Sequence, residues 1–288
     1  MKSYHTQRVV STTLRYILLT ALALLWIAPI VWIVVVSFSN NQVGFANYLW
    51  FNKTNYFTFD NYSYILTNAQ FPFITWFVKT LLVSIVSAIL STFITIAMSY
   101  ALSRLRFKMR KPFLQVFLIL NMFPGFMTMI AFYYLLKAMG LTNFVGLTLI
   151  YVSGAALAFY IAKGFFDTIP MSIDEAATID GANKWQIFTR ITIPLSRPII
   201  VYTALMAFIA PWIDYIFSAI ILGGQGNQNM TVPYGLFNMV SQVQTGNSVV
   251  YFAPFVAGCV LVAVPITILF IIMQRFYVNG ITAGADKG

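Results

Sequence analysis

Residues from which enzyme active sites are usually built are scarce in this sequence. Its 288 residues include one histidine, one cysteine and 7 acidic residues. His5 lies in the N-terminal tail and Cys259 in an apolar run, which excludes an internal disulfide and a Ser/His/Asp triad and argues against a metal cluster. The sequence contains neither an HExxH motif nor a G-x-x-x-x-G-K-[ST] phosphate loop. We therefore predict that the chain is not an enzyme and holds no metal or cofactor of its own.

A few polar and aromatic side chains inside apolar runs could contact a solute. Asp214 is the only acidic residue well inside such a run, and Asn121 lies one turn before Pro124. A buried carboxylate is costly in a membrane, so Asp214 either faces a polar cavity, forms a structural hydrogen bond or reaches toward the outer surface. Tyr133 and Trp212 could stack on a solute ring or simply pack against neighbouring helices. These four residues are the candidate solute-path residues.

Six apolar runs are long enough to cross a bilayer as helices. The chain is 60% hydrophobic and 8% charged, a composition that cannot cover a water-facing surface. A helix needs roughly 20 apolar residues to cross the hydrocarbon core, and the runs lack the alternation expected of a membrane barrel. The sequence predicts one all-α, polytopic transmembrane domain with six transmembrane helices. The predicted spans are about 16–38, 77–102, 113–137, 145–166, 199–222 and 252–274.

The distribution of basic residues predicts the orientation. If the N-terminus lies inside, only Lys53, Lys79 and Lys137 of the 17 Lys and Arg residues face outside. Because basic residues accumulate in cytoplasmic loops, both termini are predicted to be cytoplasmic. The cytoplasmic segments then include the basic loop RLRFKMRK after the second span, the loop 168–198 and the tail 275–288. The long external loops are 39–76 and 223–251.

The polar stretch Ser172–Pro198 stands out within this apolar chain. Ser172 and Glu175 have the S-x-x-E spacing of a capping box, which predicts a short helix over about 173–180. A chain of this composition has little reason to keep such a stretch unless something outside the membrane contacts it.

The second part of the stretch is predicted to form another helix. Gly181 should end the first helix, because glycine tolerates the backbone conformations found there. The next helix is predicted over about 183–192, with Pro194 ending it. From the residues alone, the first helix either enters a groove on a partner protein or rests on the membrane surface.

The order of residues in this stretch resembles the EAA motif of ABC importer permeases. The chain reads Glu175-Ala176-Ala177, then Gly181, then Ile191-Thr192-Ile193-Pro194. The resemblance implies the type I permease fold of ABC importers. It also implies that the first short helix docks into a cleft of an ATP-binding subunit and transmits its motion. The implied coupling residues are Glu175, Ala176, Ala177, Gly181, Ile193 and Pro194.

The C-terminal tail reads QRFYVNGITAG over residues 274–284. This order resembles the tail of the G-type permease subunits of maltose/maltodextrin transporters. The resemblance implies that the tail reaches toward the interface of two ATPase subunits and that the loop 223–251 contacts an external binding protein. The implied tail residues are Asn279, Gly280, Thr282 and Gly284, and the implied loop residues are Gly224, Asn227 and Tyr234.

The same resemblance implies a function in the cytoplasmic membrane of a prokaryote. The chain would be half of the translocation path of an ATP-driven importer for an oligosaccharide, with maltose or maltodextrin as the expected substrate. Its implied partners are a sister permease in a heterodimer, two ATPase subunits that bind ATP and Mg, a sugar-binding protein and the lipid bilayer, but no nucleic acid. The residues alone leave open a self-sufficient secondary carrier that uses Asp214, and a membrane scaffold without a pore.

Overall fold

The computed structural model describes residues 2–40, 56–154, 158–241 and 251–282, with side chains described except at 2–10, 121, 158 and 277–282. Within these ranges the regular structure is helical, apart from one isolated antiparallel bridge between Ser39 and Phe57, and turns and loops connect the helices. The elements are α1 (Lys2–Ser37), α2 (Asp60–Thr67), α3 (Phe73–Arg104), α4 (Arg110–Asn121), α5 (Gly125–Ala138), α6 (Phe144–Gly154), α7 (Ala158–Thr168), α8 (Met171–Ile179), α9 (Lys184–Gln186), a π-helical turn (Ile187–Thr192), α10 (Ile193–Leu195), α11 (Arg197–Ile213), α12 (Ile216–Leu222), α13 (Val232–Ser241) and α14 (Phe252–Thr282).

Four helical segments are long and apolar enough to cross a bilayer. They are Ser11–Ser37, Phe73–Arg104, Phe144–Thr168 and Phe252–Phe276. Two bent helix pairs raise the number of candidate spans among the described residues to six. This agrees with the predicted all-α, polytopic membrane protein.

Two of the predicted spans are interrupted. The run 113–137 forms α4 and α5, which meet at an angle of 100° where Pro124 precedes α5. Proline lacks the amide hydrogen that would continue the helix, which accounts for a break here. The run 199–222 forms α11 and α12, separated at Asp214 and Tyr215. The second bent pair instead joins Lys184–Leu195 to α11, at 78°.

Contacts divide the chain into two compact units. The first combines Met1–Pro72 with Asn238–Ala263 and includes α1 and α2. In it, the buried Asn61 side chain donates hydrogen bonds to the carbonyl oxygens of Ser37, at 3.0 Å, and Ser39, at 2.7 Å. These bonds hold the start of α2 against the end of α1. The second unit combines Phe73–Phe237 with Val264–Gly288 and carries the features described below.

Helix α3 is the central element of the second unit and contacts α6, α7 and α11. One face of α3 carries small hydroxyl side chains every three or four residues, and all of them are buried. Small side chains let helices in a membrane approach closely. This face fixes α3 among its neighbours, so that the residues at its two ends are held in defined positions. The hydroxyl residues are Thr80, Ser84, Ser87, Ser91, Thr95 and Ser99.

Candidate functional site

The EAA-like residues lie on the short, exposed helix α8. This helix begins at Met171 after Pro170, and no side chain caps its N-terminus. The predicted capping box is therefore wrong, because the earlier start places Ser172 inside the first turn. Glu175 is exposed and has no hydrogen-bond or ion-pair partner among the described residues. Its carboxylate, like the exposed Ala176 and the half-buried Ala177 beside it, is available to another molecule.

Arg104, at the end of α3, holds α8 in place. Its side chain is 3% exposed, and its Nη1 lies 3.5 Å from the carboxylate of Asp174 in α8. Nη1 also contacts the sulfur of Met171 at 2.7 Å. Nη2 donates to the carbonyl oxygens of Phe166 and Ile169, at 2.8 Å each. One guanidinium thus connects α3, the end of α7 and α8.

A second set of polar contacts joins the ends of α3 and α7. Ser103 Oγ donates a 2.6 Å hydrogen bond to Asp167, and Lys163 Nζ lies 2.5 Å from the other carboxylate oxygen. The Lys163–Asp167 pair has the i, i+4 spacing that places both side chains on one helix face. These bonds make the α3–α7 junction a fixed base for α8.

Gly181 separates α8 from the following helical segment, as predicted. Its φ is +86°, in the left-handed region that glycine occupies without strain. The next segment begins with a capping box in which Asn183 and Gln186 exchange side-chain and backbone hydrogen bonds. Sequence reasoning placed a capping box at the wrong helix and missed this one, although the N-x-x-Q spacing was its signal.

The predicted end of the second helix at Pro194 is also wrong. The helical path runs through a π-helical turn, Ile187–Thr192, and on to Leu195. Pro194 lies in the first turn of the short helix α10, so the proline does not end the helical path. Pro194 is exposed, whereas Ile193 packs against the core around Phe166 and Phe188.

The segment is joined to α3 through Tyr100. The rings of Tyr100 and Phe188 lie 4.6 Å apart, and the Tyr100 hydroxyl donates a 3.2 Å hydrogen bond to the carbonyl oxygen of Lys184. By contrast, Ile179 and Trp185 project from this region with exposed fractions of 86% and 67%. We call these two residues, together with the exposed Glu175 and Ala176, the α8 surface.

The opposite end of α3 holds the loop that follows α12. Trp76 Nε1 donates a 2.6 Å hydrogen bond to the carbonyl oxygen of Asn227. Lys79 Nζ donates to the Gln228 carbonyl oxygen and to Asn229 Oδ1, at 2.7 Å each. Sequence reasoning missed Trp76 and Lys79. The signal for Lys79 was its place among the few basic residues predicted to face outside.

The predicted loop residues lie around this anchor. Gly224 and Asn227 are exposed, and Gly224 has a φ of +79°. Tyr234 is half-buried on α13, with its ring 6.4 Å from that of Tyr215. The loop therefore presents exposed residues on a backbone that α3 holds in place.

Helix α13 begins directly on α3. The amide of Val232 donates a 2.9 Å hydrogen bond to Thr80 Oγ1. Gly235 faces the ring of Trp76 so closely that a Cβ atom there would lie 2.4 Å from the ring carbon Cε3. This position excludes a side chain, because any Cβ would overlap the ring.

The candidate solute-path residues are not brought together as one group. Asp214 ends α11 and accepts hydrogen bonds from the Tyr151 hydroxyl, at 2.9 Å, and the Phe217 amide, at 3.1 Å. Tyr133 is half-buried near Lys137, and Trp212 is buried with its ring 5.0 Å from that of Phe77. The Asn121 side chain lies outside the described residues. These contacts show that Asp214 and Trp212 have structural partners inside the protein. The solute-path role of all four residues stays a prediction.

The tail is described only in part. Helix α14 continues to Thr282, so the backbones of Asn279, Gly280 and Thr282 belong to its last turns. Their side chains, and the whole of Gly284, lie outside the described residues. The predicted contact between the tail and ATPase subunits stays a prediction.

Sequence comparison identifies a family. The sequence model of the "Binding-protein-dependent transport system inner membrane component" family matches residues 94–282. The galactooligosaccharides transport system permease protein GanQ of Bacillus subtilis (strain 168) is 33% identical over 285 residues, which are 98% of each chain. The maltodextrin transport system permease protein MalD of Streptococcus pneumoniae (strain ATCC BAA-255 / R6) is 33% identical over 289 residues, which are 99% of each chain.

Structure comparison gives the same fold. A chain from a bacterial ABC transporter involved in the import of the acidic polysaccharide alginate matches with a TM-score of 0.74, over 93% of this chain and 96% of that one. The two chains are 22% identical, so this likeness concerns the fold alone.

Proposed function

The chain belongs to the family of inner membrane components of binding-protein-dependent transport systems, the permeases of ABC importers, and we propose that it imports an oligosaccharide of the maltodextrin type. The permease itself is not catalytic, and ATP hydrolysis belongs to a separate ATPase subunit. In this proposal the chain forms half of the translocation path, and a sister permease forms the other half. Membership of this family gives no support to the alternative of a self-sufficient secondary carrier.

The observation that carries the proposal is the attachment of an exposed α8 to the buried end of α3. The α8 surface offers Glu175, Ala176 and exposed apolar side chains to a partner. The buried guanidinium of Arg104 fastens α8 to α3 and to the end of α7. A displacement of α8 by an ATPase subunit therefore moves the ends of both helices rather than a loose loop.

The transport cycle alternates between two global states. ATP binding closes the two ATPase subunits, α8 moves with the cleft in which it lies, and the helices switch to the outward-facing state. Hydrolysis returns them. The partner drives this change only to the extent that its affinity differs between the two states. Gly181 lets α8 change direction relative to the segment after it, since glycine tolerates a wide range of backbone angles.

At the predicted external face, the loop after α12 serves as the docking place for the binding protein. Trp76 and Lys79 fix its backbone, which leaves Gly224 and Asn227 exposed to a visiting protein. Pre-ordering lowers the entropy cost of binding, because the loop need not be immobilised on contact.

The choice of substrate rests on the names of the relatives. MalD is a maltodextrin permease, whereas the equally similar GanQ is a galactooligosaccharide permease. The resemblance of the C-terminal tail to maltose/maltodextrin subunits favours maltodextrin as the substrate. Galactooligosaccharide is the alternative substrate that an uptake experiment must compare with maltodextrin.

Two experiments test this proposal. The tagged chain is purified from native membranes in mild detergent, and an ATPase subunit and a sister permease should copurify. Their absence contradicts the assignment as a permease subunit. The intact complex is then reconstituted with its binding protein, and ATP-dependent uptake of labelled maltodextrin, galactooligosaccharide and a monosaccharide is compared. Uptake of galactooligosaccharide alone contradicts the substrate class while leaving the transport function intact.

A further inference from the structure

A cationic cavity lies beside α8, between the ends of α3 and α7 and the start of α4. Its volume is about 260 Å³. At about 30 Å³ per water molecule, it has room for a phosphate-sized anion. The residues that line it are Ser103, Arg104, Arg106, Arg110, Asp167 and Met171.

The charges around this cavity do not cancel. Arg104 is paired with Asp174, and Asp167 accepts from Lys163 and Ser103. The side chains of Arg106 and Arg110 have no hydrogen-bond or ion-pair partner among the described residues. Arg110 also acts electrostatically on Asp167. Four basic groups still face only two carboxylates here, and this net positive charge favours an anionic occupant.

A third arginine adds positive charge to the wall of the cavity. Arg104 lines the cavity and is 8% exposed, so its charge is poorly screened by water. Arg110 is also the first residue of α4, a helix of 12 residues, whose N-terminus adds partial positive charge.

Exposed apolar side chains lie next to these cations in the sequence. Phe107, Met109 and Phe113 are 44%, 63% and 44% exposed. Charged groups near a helix end beside exposed aromatic residues suit the boundary between lipid headgroups and acyl chains. The predicted orientation places this end of α3 at the cytoplasmic leaflet, whose lipids include anionic ones.

We propose that this cavity binds a phosphate group, that of an anionic phospholipid in the cytoplasmic leaflet or of a free phosphate. Arg106 and Arg110 hold its oxygens by charge-assisted hydrogen bonds, and the guanidinium of Arg104 adds positive charge to the wall of the cavity. Because Arg104 also holds α8, the bound anion lies next to the helix on which the ATPase subunit acts. Arg106 and Arg110 bind the phosphate group, whereas the ATPase subunit acts on α8. A variant can therefore lose one kind of binding and keep the other.

The experiment measures lipid binding to the full chain by native mass spectrometry in detergent. Phosphatidylglycerol, phosphatidylcholine and inorganic phosphate are titrated in turn. The double variant Arg106→Gln/Arg110→Gln is compared with the matched control Lys108→Gln/Lys111→Gln. The control removes the same charge from the same stretch of the chain, 106–111, at exposed positions that do not line the cavity.

We expect phosphatidylglycerol to bind more tightly than phosphatidylcholine. The arginine variant should lower its affinity about 30-fold, because it removes the charge-assisted hydrogen bonds inside the cavity. The control should lower it less than about threefold, because exposed charges outside the cavity contribute only weak, screened attraction. If millimolar inorganic phosphate displaces the lipid, the site is one for free phosphate. If the lipid stays bound, the site is one for the lipid headgroup. Equal effects of the two double variants overturn the proposal. The proposal is also overturned if the arginine variant binds the lipid as tightly as the wild type but no longer attaches to the ATPase subunit.

Discussion

The guanidinium of Arg104 lies 3.5 Å from the carboxylate of Asp174, with the arginine side chain 3% and the aspartate side chain 15% exposed. This ion pair joins the end of the central helix α3 to the exposed helix α8. Nη2 of the same guanidinium donates to two carbonyl oxygens at the end of α7. Three helices therefore depend on one side chain, which makes it the most informative position to change.

Replacing Arg104 should weaken the link between α8 and the rest of the permease. Arg104→Gln removes the charge opposite Asp174 and leaves the two carbonyl oxygens without their donor. The expected loss of stability is about 3 kcal/mol, as for other buried ion pairs that lose one partner. Thermal unfolding of the purified complex measures this loss. The uptake of sugar per ATP hydrolysed should fall as well.

The exposed Lys108 provides the control for that change. Lys108→Gln removes one charge from the neighbouring loop without affecting a buried contact. Its stability and coupling ratio should equal those of the wild type. If Arg104→Gln matches Lys108→Gln in both measurements, the structural role of Arg104 is refuted.

Gly181 should tolerate a side chain poorly for reasons of backbone conformation alone. Its φ is +86°, and a Cβ atom there would meet nothing within 4 Å. Gly181→Ala is therefore expected to cost about 1–2 kcal/mol through the left-handed conformation rather than through a clash. Gly181→Val should also impair ATP-driven uptake while the helices still insert. Gly181→Asn should be the mildest change, because asparagine adopts this conformation more readily.

A helical glycine supplies the comparison. Gly164, in α7, also has open space around a Cβ atom, but its φ is not positive. Gly164→Ala should be neutral or slightly stabilising, since alanine favours helices. Similar thermal unfolding and uptake for the Ala variants at 164 and 181 would show that the left-handed conformation of Gly181 is unimportant.

Gly235 should tolerate a side chain poorly because of a direct clash. A Cβ atom at this position would lie 2.4 Å from the Trp76 ring, so Gly235→Ala must displace either the ring or α13. Overpacking of this kind costs about 1–3 kcal/mol. Displacement of Trp76 also breaks its hydrogen bond to Asn227. Hydrogen exchange across Gln225–Met230 should then become faster, and binding-protein affinity should fall.

The hydrogen-exchange measurement has two useful comparisons. Trp76→Phe removes the hydrogen bond to Asn227 but keeps an aromatic ring, so it should speed exchange in the loop with a cost of about 1 kcal/mol. Gly154→Ala adds a methyl group where no atom lies within 4 Å, and the loop should be unaffected. Unchanged loop exchange in Gly235→Ala would contradict the anchoring of the loop by α3.

Asp214 should act through hydrogen bonds rather than through its charge. Asp214→Asn keeps an oxygen that accepts from the Phe217 amide, so ATP-driven uptake should remain within about twofold of the wild type. Asp214→Ala removes the acceptor from both Tyr151 and Phe217, with an expected loss of about 1–3 kcal/mol. Reconstituted vesicles with an ion gradient and no ATP should show no uptake.

Two outcomes would reverse this interpretation of Asp214. If Asp214→Asn loses sugar uptake while its thermal unfolding is unchanged, the result would support a direct role of the Asp214 carboxylate in the solute path. Uptake driven by the ion gradient alone, abolished by Asp214→Asn, would support the secondary carrier instead.

Local features of the fold followed from the sequence wherever residues close in the chain decide them. Long apolar runs predicted membrane helices, since backbone polar groups in lipid must be satisfied within each segment. Gly181 predicted the end of α8 correctly. The capping box predicted from Ser172 and Glu175 was wrong. A capping box depends on the exact residue at which a helix starts, and the N-cap of α8 is Pro170, two residues before Ser172.

The sequence by itself determined the class of protein, the apolar runs that form its membrane helices and the position of the EAA-like residues. These follow from composition, charge distribution and spacing within a few helical turns. Only the tertiary structure decided that Arg104 holds α8 and that Trp76 holds the loop at Asn227, 151 residues away in the chain. Such pairings depend on how the buried hydroxyl face of α3 packs against its neighbours. No local spacing encodes that packing, because many distant residues determine it together.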